Sequence, residues 1–189
     1  MDDEILRQVT AFTDNAHGSQ KRKYSPDRYI VHPVRVMELC RAHTTDITVL
    51  SAALLHDVLE DTAVSKSAIT HFLSDLMDAP KAKRTLLLVE ELTDQYVKSA
   101  YPSFNRRRRK ALELERMSTI SADAQTIKYA DIIDNCKEIV LKDPDFAKVF
   151  LNECLKLLKE LKDGNKELYK MACDEVARGL SLLDKKHMA

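Results

Sequence analysis

The chain has 189 residues, of which 44% are hydrophobic and 32% charged, a composition typical of folded globular proteins and not of disordered ones. This length fits one domain with a full hydrophobic core, expected over residues 1–189. Thirty basic and thirty acidic residues cancel, so no general attraction to nucleic acid or to an anionic membrane is expected.

The cysteines and the N-terminus predict a cytoplasmic protein. The four cysteines form no CxxC pair, and scattered thiols in a chain of this size are typical of a reducing compartment. Met1 is followed by the acidic segment DDE instead of the basic and apolar segments of a signal peptide. Apolar runs such as ALLH and TLLLV are far too short to cross a membrane.

Apolar residues recur mostly at spacings of three and four, and the chain has only three glycines and five prolines. Both features favour an all-α fold. Ser65 or Ser67 is expected to cap the fourth helix, and Gly164 to end the eighth. The last two helices, about 145–185, are predicted to pack against the others and to offer a surface for a homo-oligomer. The predicted helices span about 3–17, 32–43, 47–61, 65–76, 81–93, 106–119, 121–140, 143–162 and 165–183.

The segment AALLHDVLEDT, residues 52–62, places four ionisable groups in an apolar helix. Buried groups of this kind are usually paired or bound to a metal, because isolated burial costs several kcal/mol. His56 and Asp57 can converge on one ion, and Glu60 and Asp61 follow one turn later, where they can position a water. Imidazole together with carboxylate suits manganese, iron or zinc and disfavours calcium. Taken alone, the first two residues fit a buried hydrogen-bonded pair equally well.

A metal needs further ligands, and two other segments supply candidates. His32 opens a predicted helix in YIVHPVRV. Lys128, Asp131 and Asn135 share one stripe of an otherwise apolar helix at spacings of three and four. Without other information, Lys128 and Asp131 are better explained as an ion pair on a helix surface.

These motifs together resemble a known family. HP at 32–33, HDVLEDT at 56–62 and KYADIIDN at 128–135 are similar to the HD-domain metal phosphohydrolases. More narrowly they resemble the SpoT-type alarmone hydrolases, including the small single-domain members. The segment AHGSQKRKYSPDRYIVHP at 16–33 is similar to an N-terminal motif of the same family. The resemblance covers about residues 8–140 and implies a single HD-domain helical bundle.

The resemblance also implies roles for individual residues. One Mn²⁺ per chain would be held by four ligands, and an acidic pair would be catalytic. The substrate implied is a nucleotide alarmone such as (p)ppGpp, cleaved to pyrophosphate and GDP or GTP. The implied ligands are His32, His56, Asp57 and Asp131; the acidic pair is Glu60 and Asp61; Arg22 and Lys23 lie beside the base, and Lys128 and Asn135 along the nucleoside and phosphates.

Phosphates also need cations, and the run RRRRK at 106–110 is the obvious supply. Arg106 and Arg109 are our candidates. The alternative is a solvated helix face paired with Glu113 and Glu115, which is the commoner role of such runs. A nucleic-acid patch is disfavoured because aromatic residues do not alternate with the arginines.

Three positions depart from the family's pattern: the segment PDR at 26–28, Ser19 and Asp134. All three are expected near the nucleotide base. They leave open the same chemistry with a preference for the adenosine alarmone (p)ppApp, or phosphatase action on NADPH. An alternative of a different class is a non-catalytic HD module that binds a nucleotide, although the intact pair of Glu60 and Asp61 argues against it.

Overall fold

In the computed structural model, which describes residues 2–187, the chain folds into ten α-helices, and the described residues form no β-strand beyond one isolated bridge between Lys21 and Arg28. The all-α prediction is therefore confirmed. Across residues 2–187, no helix is both long and apolar enough to cross a membrane. The helices are α1 (Asp2–His17), α2 (Val31–Arg41), α3 (Ile47–Leu55), α4 (Val58–Asp61), α5 (Lys66–Leu76), α6 (Ala79–Leu92), α7 (Arg106–Met117), α8 (Ala122–Lys142), α9 (Pro144–Glu160) and α10 (Lys166–His187).

Helix α3, which leads directly into the ionisable motif at 56–61, and helix α8, which carries the motif at 128–135, form the centre of the bundle. Every residue of α3 is buried, and α3 contacts α1, α2, α6 and α8. Helix α8 also contacts α2, α9 and α10. Leu54 and Leu55 are fully buried, and each contributes roughly 1.5–3 kcal/mol through burial. The polar groups of these helices are therefore held on a well-packed scaffold.

Side-chain caps fix where most of these helices begin. An oxygen at each cap accepts a hydrogen bond from a backbone amide in the first turn, which satisfies one of the unpaired donors there. The prediction of a serine cap before α5 is confirmed for Ser65, whose hydroxyl accepts from the amide of Ala68. The other capping residues are Asp46, Asp78, Asn105, Ser121 and Asp143.

The continuous helix predicted over 47–61 is wrong at its centre, because α3 ends at Leu55 and α4 begins at Val58. The Nδ1 atom of His56 lies 2.8 Å from the carbonyl oxygen of Ala53. In a continuous helix that carbonyl would accept from the amide of Asp57. The backbone of Asp57 has φ −96° and ψ −6°, away from the helical minimum. The chain therefore breaks at the two residues that carry the candidate ligands.

Gly164 does not end a helix as predicted. Helix α9 ends at Glu160, and among the described residues the only positive φ belongs to Gly18, at 55°, just after α1. Gly164 instead lies against α8, where a Cβ atom would be 2.7 Å from Cε2 of Tyr129 and 2.8 Å from the amide nitrogen of Thr126. Glycine at this position allows the chain after α9 to pack closely against α8, where any side chain would collide.

Candidate metal centre and active site

The four predicted ligands converge from helices α2 and α8 and from the break between α3 and α4. Nε2 of His32 lies 3.2 Å from Oδ1 of Asp131 and 3.5 Å from Oδ2 of Asp57. Nε2 of His56 lies 3.1 Å from the same Asp57 oxygen and 3.8 Å from Asp131 Oδ1. Ligand atoms of His32, His56 and Asp57 all lie within 4.8 Å of one another. Two imidazole nitrogens and two carboxylates therefore surround one point.

His56 is oriented by the helix break. Its Nδ1 must donate to the Ala53 carbonyl, since a carbonyl oxygen only accepts. In the neutral ring, Nε2 then keeps its lone pair and faces the cluster. This Nε2 is buried and has no hydrogen-bond partner within residues 2–187. A buried nitrogen of this kind, beside a carboxylate, fits a metal ligand.

Asp134 lies against His32 and not in the place where it was expected. Nδ1 of His32 lies 2.7 Å from Oδ2 of Asp134. The Asp134 side chain is 3% exposed and also contacts the guanidinium of Arg35. Asp134 was predicted to lie beside the nucleotide base; it lies behind a candidate metal ligand instead, because position 134 follows 131 at a helical spacing of three.

The pKa values of the cluster reflect mutual pairing. Burial lowers the pKa of His56, but the charges of Asp57 and Asp131 outweigh this and raise it to about 10. Burial also acts to raise the pKa of both carboxyls, yet the cations beside them hold both below the usual range: His56 for Asp57, and Lys128 for Asp131. A divalent ion could replace the imidazole protons that balance these carboxylates, because metal binding displaces protons from its ligands. The donor set therefore fits a divalent metal ion.

Asp61 is joined to the cluster through a tyrosine that the sequence reasoning missed. The Tyr29 hydroxyl lies 2.7 Å from Oδ2 of Asp57 and 2.9 Å from Oδ2 of Asp61. Burial, together with these two carboxylates, raises the pKa of Tyr29, so its proton stays on the oxygen. The ring stacks on His17 at 4.3 Å. The sequence signal for Tyr29 was its position three residues before His32, which lies in the first turn of a helix.

Glu60 faces the segment after α6. Its Oε2 accepts a hydrogen bond of 3.1 Å from the amide of Asp94. The residue is solvent-accessible, but protein around its carboxyl group and the charge of Asp94 raise its pKa to about 7. Glu60 is thus placed to hold or release a proton near neutral pH.

Three of the predicted substrate residues meet beside the cluster. Nζ of Lys128 lies 2.7 Å from Oδ2 of Asp131, and Nδ2 of Asn135 donates to its Oδ1 at 2.6 Å. Arg22 then donates to Oδ1 of Asn135 at 2.9 Å and contacts Glu138 at 3.2 Å. The side chains of Lys128 and Asp131 are only 24% and 9% exposed. The pair is therefore not the surface ion pair that the spacing alone favoured.

The other predicted substrate residues make different contacts. Lys23 contacts Asp143, at the start of α9, at 3.2 Å, and its side chain is 67% exposed. Arg106 pairs with Glu153 at 2.7 Å, and Arg109 donates to the carbonyl of Phe104. Arg106 and Arg109 nevertheless line one cavity of about 180 Å³ together with Lys98, Lys110 and Asp94. Since the backbone amide of Asp94 donates a hydrogen bond to Glu60, this basic cavity lies close to the Glu60 carboxyl group.

A comparison with protein families agrees with this fold and with the His–Asp cluster. The model of the HD domain matches residues 29–136, and the chain belongs to the HD domain family. The predicted resemblance is confirmed at this level.

Particular relatives narrow the comparison further. The chain is 31% identical over 149 residues to the guanosine-3′,5′-bis(diphosphate) 3′-pyrophosphohydrolase MESH1 of Xenopus tropicalis, covering 76% of this chain and 74% of that protein. It is 33% identical over 138 residues to the protein of the same name from Homo sapiens, covering 71% and 69%. A solved structure described as "A metazoan ortholog of SpoT hydrolyzes ppGpp and plays a role in starvation responses" matches with a TM-score of 0.75 and 27% identity, over 94% of this chain and 96% of that one.

Proposed function

We propose that this protein hydrolyses the 3′-pyrophosphate of guanosine alarmones such as (p)ppGpp, releasing pyrophosphate and GDP or GTP. The observation that carries the proposal is the convergence of His32, His56, Asp57 and Asp131. It is supported by similarity, over more than two thirds of their length, to proteins named as such hydrolases. The whole chain would act as one HD-type domain in the cytoplasm, where its cysteines would remain unpaired thiols.

The same four residues would hold one Mn²⁺ per chain, through two imidazole nitrogens and two carboxylates. When bound, such an ion polarises a phosphoryl oxygen and makes water a stronger acid. The proposed choice of manganese follows the family resemblance, whereas the donor set itself also suits iron or zinc.

Glu60 would act as the general base. Water adds to the phosphorus bonded to the 3′ oxygen, the bond between that phosphorus and oxygen breaks, and the leaving oxygen takes up a proton. With a pKa of about 7, the Glu60 carboxylate can accept the proton of the attacking water and pass it on. Asp61 would act differently: its bond to Tyr29 ties it to Asp57, so it would hold that carboxylate in place.

The cationic residues would bind the phosphates and the nucleoside. Lys98, Arg106, Arg109 and Lys110 line the cavity beside Asp94, and a cluster of cations suits a pyrophosphate group. Lys128, Asn135 and Arg22 form a chain of contacts that leads away from Asp131, and would line the nucleoside. Lys23, which is largely exposed, would meet the base by moving from its contact with Asp143.

The pKa of Glu60 leads to a prediction about pH. A base must be deprotonated, so kcat/KM should rise with pH as Glu60 loses its proton. The midpoint should lie at or below about 7, because a bound cation would lower the pKa of Glu60. The Asp94→Asn change removes a negative charge that raises the pKa of Glu60. We expect the midpoint of the pH profile to move to lower pH. An Asp75→Asn change, at an exposed carboxylate on α5, should leave the midpoint unchanged; a shift to higher pH in the Asp94 variant would contradict the role of Glu60.

The direct test is an anion-exchange assay of the purified protein with Mn²⁺, with and without prior chelation. Guanosine and adenosine alarmones and NADPH are offered in parallel. We expect pyrophosphate from the guanosine alarmone, and none after chelation. Turnover of the adenosine alarmone alone would show that the substrate carries adenine instead of guanine. Release of phosphate from NADPH alone would show that the substrate is NADPH and not an alarmone. Binding of nucleotide without turnover of any compound would indicate a non-catalytic module.

A further inference from the structure

Behind His32 lies an ion pair between a buried carboxylate and the half-exposed Arg35, and the proposed reaction does not use it. Oδ1 of Asp134 lies 2.7 Å from Nε of Arg35, and Oδ2 accepts from Nη2 of Arg35 at 3.1 Å. The same Oδ2 lies 2.7 Å from Nδ1 of His32, whose side chain is 1% exposed. Arg35 continues to Oε1 of Glu138 at 2.6 Å. Oδ2 of Asp134 thus receives hydrogen bonds from both α2 residues, while Oδ1 lies in ionic contact with Nε of Arg35.

We infer that Asp134 is a positioning residue that holds His32 in the orientation and tautomer needed for metal binding. This inference rests on the metal site of the proposed function. A carboxylate only accepts, so Nδ1 of His32 must carry the proton. Nε2 is then the nitrogen with the free lone pair, and it is the atom that faces Asp57 and Asp131. A carboxylate behind a ligating histidine also makes the ring a stronger ligand.

Arg35 gives this arrangement its stability. An unpaired carboxylate buried as deeply as Asp134 would be costly, and the guanidinium balances its charge. The hydrogen bond from Nη2 of Arg35 to Oδ2, together with the ionic contact of Nε with Oδ1, also restricts the carboxylate, and so the direction of its bond to His32. Position 134 on α8 and position 35 on α2 therefore act together on the ligand at position 32.

The competing explanation is that Asp134 only joins α2 to α8. A purely structural ion pair would affect the unfolding temperature and leave the affinity for metal unchanged. The Asp134→Asn change separates the two, because asparagine has the same shape but lacks the charge that holds the proton on Nδ1 and makes His32 a stronger ligand. A matched control is Asp46→Asn, which removes a carboxylate from a contact of 2.6 Å with Arg84, away from the cluster.

The experiment is calorimetric titration of the metal-stripped proteins with Mn²⁺, together with thermal unfolding in chelator. We expect Asp134→Asn to bind Mn²⁺ about 10–100-fold more weakly than wild type, and Asp46→Asn to bind as wild type does. An Asp134 variant with wild-type affinity and only a lower unfolding temperature would overturn the inference alone. A wild-type protein that binds no divalent ion would overturn the proposed metal site, and this inference with it.

A second measurement needs no variant and covers the case in which Asp134→Asn does not fold. In wild-type protein loaded with diamagnetic Zn²⁺, nitrogen NMR of the histidine rings reports which nitrogen of His32 carries a proton. A proton on Nδ1 supports the inference. A proton on Nε2, or Nδ1 bound to the metal, overturns it.

Discussion

Asp57→Ala is expected to abolish metal binding and hydrolysis together. One oxygen of Asp57 lies 3.1 Å from Nε2 of His56, 3.5 Å from Nε2 of His32 and 2.7 Å from the Tyr29 hydroxyl. Alanine removes the carboxylate that all three groups face, and leaves one carboxylate, that of Asp131, beside the two imidazoles. We expect affinity for Mn²⁺ to fall by more than about 100-fold, beyond the range for residues that only contact a ligand.

The measurement is the metal content of the purified variant, followed by pyrophosphate release from the guanosine alarmone. The matched control is Asp75→Ala, because His71 and Asp75 form a similar pair at 3.7 Å on the protein surface, where both side chains are more than 70% exposed. That variant should keep both metal and activity. An Asp57 variant that retains one equivalent of Mn²⁺ would contradict the proposed ligand set.

The helices and the candidate ligands could be predicted because their signals are local. Apolar spacing revealed the helices, and His56 and Asp57 were conspicuous as ionisable groups between the apolar residues 52–55 and 58–59. Convergence of position 32 with positions 57 and 131 was not derivable from spacing. It depends on how α2 and α8 pack against α3, and the family resemblance supplied it.

The features that the sequence did not predict depend on contacts between distant segments, or on competition for one hydrogen-bond acceptor within a segment. The break at His56 arises because its ring nitrogen donates to the Ala53 carbonyl, a choice that apolar periodicity does not record. Gly164 looked like a helix end, but its role is a close approach to Tyr129, which lies 35 positions earlier in the chain. The place of Asp134 beside the candidate ligands could have been predicted, since it shares a helix face with Asp131 at a spacing of three.

Glu60→Gln is expected to separate metal binding from turnover. Glu60 contacts the amide of Asp94 at 3.1 Å, and glutamine can accept the same hydrogen bond without being able to take a proton. We expect kcat to fall by about 10²–10⁴-fold, the usual contribution of a general base, with the affinity for Mn²⁺ preserved. Measuring both quantities on one preparation tests this, with Glu90→Gln as the control, because Glu90 pairs with Lys66 at the surface.

The neighbouring acid should respond differently, which makes the assignment of the base falsifiable. The side chain of Asp61 contacts the Tyr29 hydroxyl, which also contacts Asp57. Asp61→Asn should therefore weaken the hold on Asp57 and lower the affinity for Mn²⁺, an effect that Glu60→Gln does not share. If Glu60→Gln keeps near wild-type turnover while Asp61→Asn loses it with metal still bound, the base is Asp61. The proton would then leave on the Tyr29 side of the cluster, and the raised pKa of Glu60 would reflect its burial and its place beside Asp94 without a catalytic role.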